Sequence, residues 1–169
     1  MTQRDKAGSI VVRVGTATVR MSPVGFALYA EEFLKAGESI AAHSQARGNT
    51  TFTPVPYYMF CRALELILKA FLLAKHRSLD ELKSRYRHDL EKLWREANGL
   101  GLSAVVGTCT QSFEADLASA NSYYKGKAFE YFDFRRWAHG YQGLPPLDTF
   151  QEEVRRIVEK TKKFCFDVS

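Results

Sequence analysis

The sequence lacks the features that mark membrane, secreted and zinc-binding proteins. Its most apolar stretch, Ala63 to Ala74, is interrupted by Glu65 and Lys69, and its opening residues contain no apolar run of signal-peptide length. The three cysteines lie far apart, with no CxxC pair and no histidine nearby, which argues against a metal site or a disulfide framework. We therefore expect a cytoplasmic protein with no membrane anchor, no metal and no cofactor.

Motifs of the large hydrolase classes are missing as well. The chain has no Gly-rich phosphate loop, no metal-ligand run and no nucleophile elbow. It also has no fixed-period repeat and no low-complexity segment. Its function must therefore be sought in isolated polar residues and in its charge.

The composition is that of one self-folding domain. The chain has 169 residues, 46% of them hydrophobic and 25% charged, which is enough apolar material for a single core. The formal net charge of +5 would help the protein associate with a polyanion, although charge alone does not identify a partner.

Apolar residues recur at helical spacing in five segments. Ser22–Pro23 and Thr53–Pro54 are typical helix starts, Asp89 can cap the third helix, and Asp148 and Gln151 have capping-box spacing at the last. The predicted helices cover 22–47, 54–75, 89–98, 103–123 and 148–165, with a short helical turn at 79–86.

These patterns predict an all-α fold, an up-and-down bundle of about five helices. The bundle domain covers residues 22–169, and residues 1–21 form an N-terminal arm. Alternating residues within 9–21, around Gly15-Thr16, indicate a short β-hairpin in that arm. The helix over 54–75 is apolar on nearly every side, which places it at the centre of the bundle.

The central helix with Glu65 and Lys69, followed by His88-Asp89-Leu90 and then Leu93, resembles the HEPN superfamily (higher eukaryotes and prokaryotes nucleotide-binding domain). The resemblance covers roughly residues 22–163. It implies a helical bundle and frequent homodimers. In many members of that family, an arginine and a histidine separated by four to six residues cleave RNA without a metal.

This chain departs from that nuclease motif. None of its four histidines follows an arginine at that spacing, and the nearest match, Arg135 and His139, is one residue short. Members without the motif are regarded as binding modules. The resemblance therefore implies a divergent, non-catalytic homodimer that contacts RNA or a protein partner, in a toxin–antitoxin or defence setting.

The alternative function is a metal-independent endoribonuclease that uses Arg135 and His139. In a helix these two residues would be neighbours at i and i+4, so the imidazole could move a proton while the guanidinium stabilises charge on a phosphate. The competing interpretation is a surface pair in a loop beside Gly140. We favour the loop, because the spacing of two residues alone shows neither where a substrate would bind nor whether a pKa is suited to catalysis.

Three charged residues, Arg62, Glu65 and Lys69, share one face of the central helix. Buried charges must be paired, so this face predicts an ion-pair network inside the chain or one completed across a dimer. The alternative is a small polar pocket in which an anion meets Arg62 and Lys69.

His88 and Asp89 allow two interpretations. A carboxylate can fix the tautomer of a histidine, which would make them an acid/base pair. Asp89 can instead cap the helix that follows, and we favour this interpretation because Leu90 and Leu93 commit the segment to the core.

The segment 123–141 combines aromatic and basic residues, among them Tyr131, Arg136 and Trp137. Such residues can stack on unpaired bases while holding phosphates. An aromatic cluster is more often a lid on the core or an interface patch, and we favour that interpretation. The surplus of apolar side chains in this segment predicts a homodimer.

Overall fold

The computed structural model describes residues 22–46, 52–131 and 140–168, together with two short strands near the N-terminus. In these residues the predicted all-α class is confirmed. Seven helices lie in the described residues: α1 Pro23–Ala46, α2 Val55–Ala74, α3 Leu79–Glu81, α4 Leu90–Gly99, α5 Leu102–Val106, α6 Phe113–Tyr124 and α7 Leu147–Asp167. The predicted number of about five helices was too low.

The two strands form one short antiparallel pair. Strand β1, Gln3–Arg4, pairs with β2, Ile10–Val11, so that Gln3 lies opposite Val11 and Arg4 opposite Ile10. The turn predicted at residues 15–16 lies outside the described residues.

Helix α1 begins where the Ser22–Pro23 pair predicted a helix start. The Ser22 hydroxyl accepts a hydrogen bond of 3.1 Å from the backbone N–H of Gly25, and Pro23 occupies the first helical position. Further along, a Cβ at Gly37 would lie 2.7 Å from the ring of Phe60. Only glycine therefore allows α1 to approach α2 this closely.

Helix α2 is the centre of the fold, as its all-round apolar pattern predicted. It packs against α1, α4, α6 and α7. Most of its residues are buried, including Phe60, Leu64, Leu68 and Phe71, which are fully inaccessible. A polar residue on this helix is therefore withdrawn from water unless it lies at the edge of the bundle.

The single helix predicted over 103–123 was wrong. The chain leaves the helical conformation at Gly107, which has φ +77° and ψ −175°, a region open almost only to glycine. Side chains of α7 bind the exposed backbone of this break. Glu153 accepts the N–H of Thr110 at 2.9 Å, and Arg156 donates to the carbonyl of Val106.

The connection between α2 and α4 contains a short capped helix, a π-helical turn and a residue with positive φ. Ser78 and Glu81 form a capping box at α3, which continues into a wider π-helical turn, Leu82–Tyr86. The turn ends at Arg87, whose φ is +47°. Asp89 caps α4 by accepting the N–H of Lys92 at 3.3 Å, so its predicted capping role is confirmed.

The last helix has the predicted buried stripe but not the predicted cap. Phe150, Val154 and Ile157 are buried as expected. Helix α7 begins at Leu147, after Pro146, and the Asp148 carboxylate accepts the N–H of its neighbour Thr149 instead. The predicted capping box was therefore wrong, because the helix starts at Leu147, two residues too early for Asp148 to cap it.

Candidate functional site

A buried carboxylate on α2, that of Glu65, is the centre of the strongest polar cluster in the described residues. Its side chain is 1% exposed, and it faces the connection before α4 and the end of α6. The cluster, here called the Glu65 cluster, comprises Arg62, Glu65, Lys69, His88 and Tyr124.

Each carboxylate oxygen of Glu65 has two partners. Oε1 lies 3.2 Å from Arg62 Nη1 and 2.5 Å from Lys69 Nζ. Oε2 accepts the Tyr124 hydroxyl at 2.5 Å and lies 3.0 Å from His88 Nδ1. The helical spacing of the two cations places them on the same face as Glu65, and the tertiary fold adds the other two partners.

The surroundings keep Glu65 ionised despite its burial. Burial alone would raise the pKa of this carboxyl, but the charge of Lys69 and the hydrogen bonds from Lys69, Tyr124 and His88 outweigh it and hold the pKa below its usual range. Burial and the adjacent Glu65 charge raise the pKa of the Tyr124 hydroxyl, which therefore remains a donor.

The partner of His88 is Glu65 and not its sequence neighbour Asp89. Because Glu65 is ionised and can only accept, the Nδ1 atom of His88 carries the proton and donates it. The imidazole also meets the Tyr124 ring edge to face, at 6.3 Å and 87°. The side chain of His88 is 45% exposed, so Glu65 fixes a histidine that still reaches solvent.

The neighbouring carboxylate, Asp89, organises a second set of contacts. Lys125 Nζ lies 2.6 Å from its Oδ2, and the Asn121 amide donates to its Oδ1 at 3.2 Å. Burial would raise the pKa of Asp89, but the bonds from Lys125, the Lys92 backbone and Asn121 hold it below its usual range. Asn121 also accepts the N–H of Leu90 at 2.9 Å, so these contacts join α6 to the start of α4.

Chemically, the Glu65 cluster can do two things. It can brace the bundle, because Lys69 also donates to the carbonyl of Arg87 at 2.8 Å and so ties α2 to the turn before α4. It can also present the oriented His88 imidazole as a proton carrier. Arg62 and Lys69 are both paired with Glu65, so neither can turn to a bound anion without leaving that buried carboxylate.

The predicted site residues fall into three groups. Arg62, Glu65 and Lys69 form the ion-pair network that their spacing predicted, and it is completed within one chain by His88. Tyr131 lies elsewhere and is 65% exposed. The remaining site predictions lie outside the described residues: Arg135, Arg136, Trp137 and His139.

Sequence reasoning did not assign three residues near the end of α6, Asn121, Tyr124 and Lys125, to contacts with Glu65 and Asp89. One signal was available, because Leu117, Asn121 and Tyr124 follow each other at i, i+4 and i+7 on a buried face. A polar amide within an apolar stripe indicates a buried hydrogen-bonding role. The assignment of its partners required the tertiary structure.

Part of the aromatic segment packs inward. The ring of Phe129 stacks on those of Tyr123 and Tyr141, each at 5.7 Å, and lies 6.2 Å from Tyr57. Phe129 is 8% exposed. In the described part of this segment, these rings form a lid on the core and are not free to stack on bases.

The chain matches no protein-family model, no curated protein and no solved structure. The HEPN assignment therefore rests on the sequence resemblance alone. In the described parts of the chain, no helix is both long and apolar enough to cross a membrane.

Proposed function

We propose that this chain is a non-catalytic, HEPN-like helical module that acts by contacting RNA or a protein partner. The observation that carries this proposal is that the donors of the Glu65 cluster are directed at the cluster's own buried carboxylate. Four donors converge on one buried carboxylate, and the cations Arg62 and Lys69 are both among them. Such an arrangement suits a brace better than a site that must stabilise new negative charge on a phosphate.

Between the two partners, the charge of the chain favours RNA. The net charge is +5, and several cations, including Arg85 and Arg95, are exposed without a carboxylate within ion-pair distance among the described residues. Exposed cations bind phosphates by releasing counterions from the nucleic acid. The toxin–antitoxin or defence setting comes from the resemblance to the HEPN superfamily only.

The proposal includes a homodimer. Two neighbouring side chains on α1, Leu28 and Tyr29, are 45% and 65% exposed, and Phe166 near the end of α7 is 50% exposed. Apolar surface of this kind is typical of an interface. Light scattering at roughly ten micromolar or more, a range that detects weak interfaces, should give twice the mass of one 19.2 kDa chain.

Fluorescence anisotropy with labelled single-stranded RNA tests RNA contact. We expect binding that weakens as salt rises, and intact RNA on a denaturing gel after incubation in excess chelator. If the protein neither binds nor cleaves the RNA, contact with RNA is contradicted and the protein-partner form of the proposal remains.

One observation favours a second candidate function, metal-independent RNA cleavage. The Nδ1 atom of His88 is held 3.0 Å from a buried carboxylate while the ring reaches solvent, and this is the arrangement of an oriented general base. Chelator-resistant cleavage would support this function. Loss of cleavage in His88→Gln would assign it to His88, and loss in both Arg135→Ala and His139→Ala would assign it to the pair predicted from the sequence.

A further inference from the structure

A cavity of about 450 Å³ lies between the π-helical turn 82–86 and α4. It shares no lining residue with the Glu65 cluster. Five charged residues line it: Arg77, Arg85, Lys92, Arg95 and Glu96. Sequence reasoning did not single out this group, because its members come from a loop, a π-helical turn and a helix.

The charges of this cavity are unbalanced. Glu96 is its one carboxylate, and it is already paired with Arg77 at 2.6 Å. Lys92 lies 3.8 Å from Asp89, which is held more closely by Lys125. Arg85 and Arg95 have no carboxylate within ion-pair distance among the described residues; the Arg85 guanidinium instead lies over the Tyr86 ring at 5.4 Å.

Unused hydrogen-bond donors lie beside these charges. The Tyr86 hydroxyl and the Arg77 Nε atom are both buried and have no hydrogen-bond partner in the described structure. The Glu96 carboxylate is near the Tyr86 hydroxyl, but no hydrogen bond of normal geometry joins them. Burial and then the Glu96 charge raise the pKa of Tyr86, which keeps the hydroxyl protonated. Buried donors without partners are rare in folded proteins and call for an explanation.

We propose that this cavity binds phosphate groups, and that the phosphates of an RNA backbone are its natural ligand. Guanidinium groups bind phosphate oxygens in a bidentate manner, and two guanidinium groups without a carboxylate partner at one cavity repel each other until an anion neutralises them. The choice of RNA as the source of the phosphate rests on the proposed function. The phosphate chemistry itself rests on the cavity alone.

The test compares two double variants that remove the same charge. Arg85→Gln/Arg95→Gln removes two cations from the cavity, and the control Lys160→Gln/Lys163→Gln removes two exposed cations from α7. Each lowers the net charge from +5 to +3. Inorganic pyrophosphate and a labelled single-stranded RNA of about 12 nucleotides serve as probes, with melting temperature as the check on folding.

The cavity variant should lose about tenfold or more in affinity for pyrophosphate, a change of the size that loss of charge-assisted hydrogen bonds produces. For RNA, the slope of log K against log salt should become shallower by about 1.4, since each phosphate contact on a single strand contributes about 0.7. The control variant should stay within about twofold of the wild type at one salt concentration, because it retains every cavity contact.

Equal losses in the two variants would assign binding to general surface charge and overturn the inference, while leaving RNA contact intact. Pyrophosphate binding that depends on the cavity, without RNA binding, would contradict RNA contact and identify free phosphate compounds as the ligand. No binding of either probe would overturn both the cavity inference and RNA contact. If the cavity variant melts early, amide shifts of Arg85, Tyr86 and Arg95 on adding pyrophosphate to the wild type decide the question, and unchanged signals would refute the site.

Discussion

At the scale of single residues, Glu65 is a buried carboxylate whose charge is stabilised only by its partners. Replacing it in Glu65→Gln leaves Arg62 and Lys69 with no anion beside them. Removal of one member of a buried ion pair typically costs about 3 kcal/mol of unfolding free energy. Urea denaturation should show this loss, and Glu159→Gln, which removes a carboxylate from an exposed position on α7, should change stability by about 0.5 kcal/mol or less.

The pH dependence of the stability difference between wild type and Glu65→Gln follows from the direction of the pKa shift of Glu65. The pKa of Glu65 is lower in the folded chain than its ordinary value of 4.5, so the unfolded state binds the proton more tightly. Its stabilising effect is full above pH 4.5 and is lost as the pH falls through the lower folded pKa. Wild type and Glu65→Gln should therefore converge in stability at acid pH. A difference that grows on acidification would contradict the ionised assignment.

Two buried tyrosines provide a matched comparison in which the same atom is removed. The Tyr124 hydroxyl donates to Glu65, so Tyr124→Phe should cost about 2 kcal/mol, the range for a bond to a charged group. The Tyr86 hydroxyl is buried without a partner, so Tyr86→Phe in phosphate-free buffer should be neutral or stabilise by up to about 1 kcal/mol. Thermal melts should show destabilisation for Tyr124→Phe alone, and equal destabilisation of both variants would show that Tyr86 is hydrogen bonded.

At the scale of helices, local sequence signals predicted what depends on local chemistry. Ser22 and Asp89 cap their helices as expected, because a capping side chain bonds a backbone N–H two or three residues away. The capping box at Asp148 failed because Pro146 sets an earlier start. The break at Gly107 was missed because apolar residues continue at helical spacing on both sides of it.

Gly107 and Gly99 should respond in opposite directions to the same substitution. At Gly107 the positive φ would strain any side chain, so Gly107→Ala should destabilise by about 1–3 kcal/mol. Gly99 ends α4 without a positive φ, and an added Cβ meets nothing within 4 Å, so Gly99→Ala should stabilise by up to about 1 kcal/mol. Denaturant titration of both variants checks this. A Gly107→Ala variant as stable as the wild type would mean that α5 and α6 can form one continuous helix.

At the scale of the whole molecule, the sequence predicted the class and the central helix but only part of the site. Helical spacing brings Arg62 and Lys69 to Glu65, since all three lie on one helix. His88 and Tyr124 reach the same carboxylate across 23 and 59 residues of chain. Contacts over such separations depend on how helices pack, which periodicity does not encode. The cationic cavity was missed for the same reason.

The division of the chain into an arm and a bundle is a prediction about which residues fold together. The buried core among the described residues runs from Ala27 to Cys165. Deletion of residues 1–20 leaves Met21 as the start and retains the Ser22 cap. The shortened protein should melt cooperatively, with a midpoint within about 4 °C of the full chain, equivalent to roughly 1 kcal/mol for a domain of this size. Deletion of α7 from residue 147 onward removes Phe150, Val154 and Ile157 from the core and should abolish cooperative melting. Loss of cooperativity on removing residues 1–20 alone would instead place the N-terminal strands in the core.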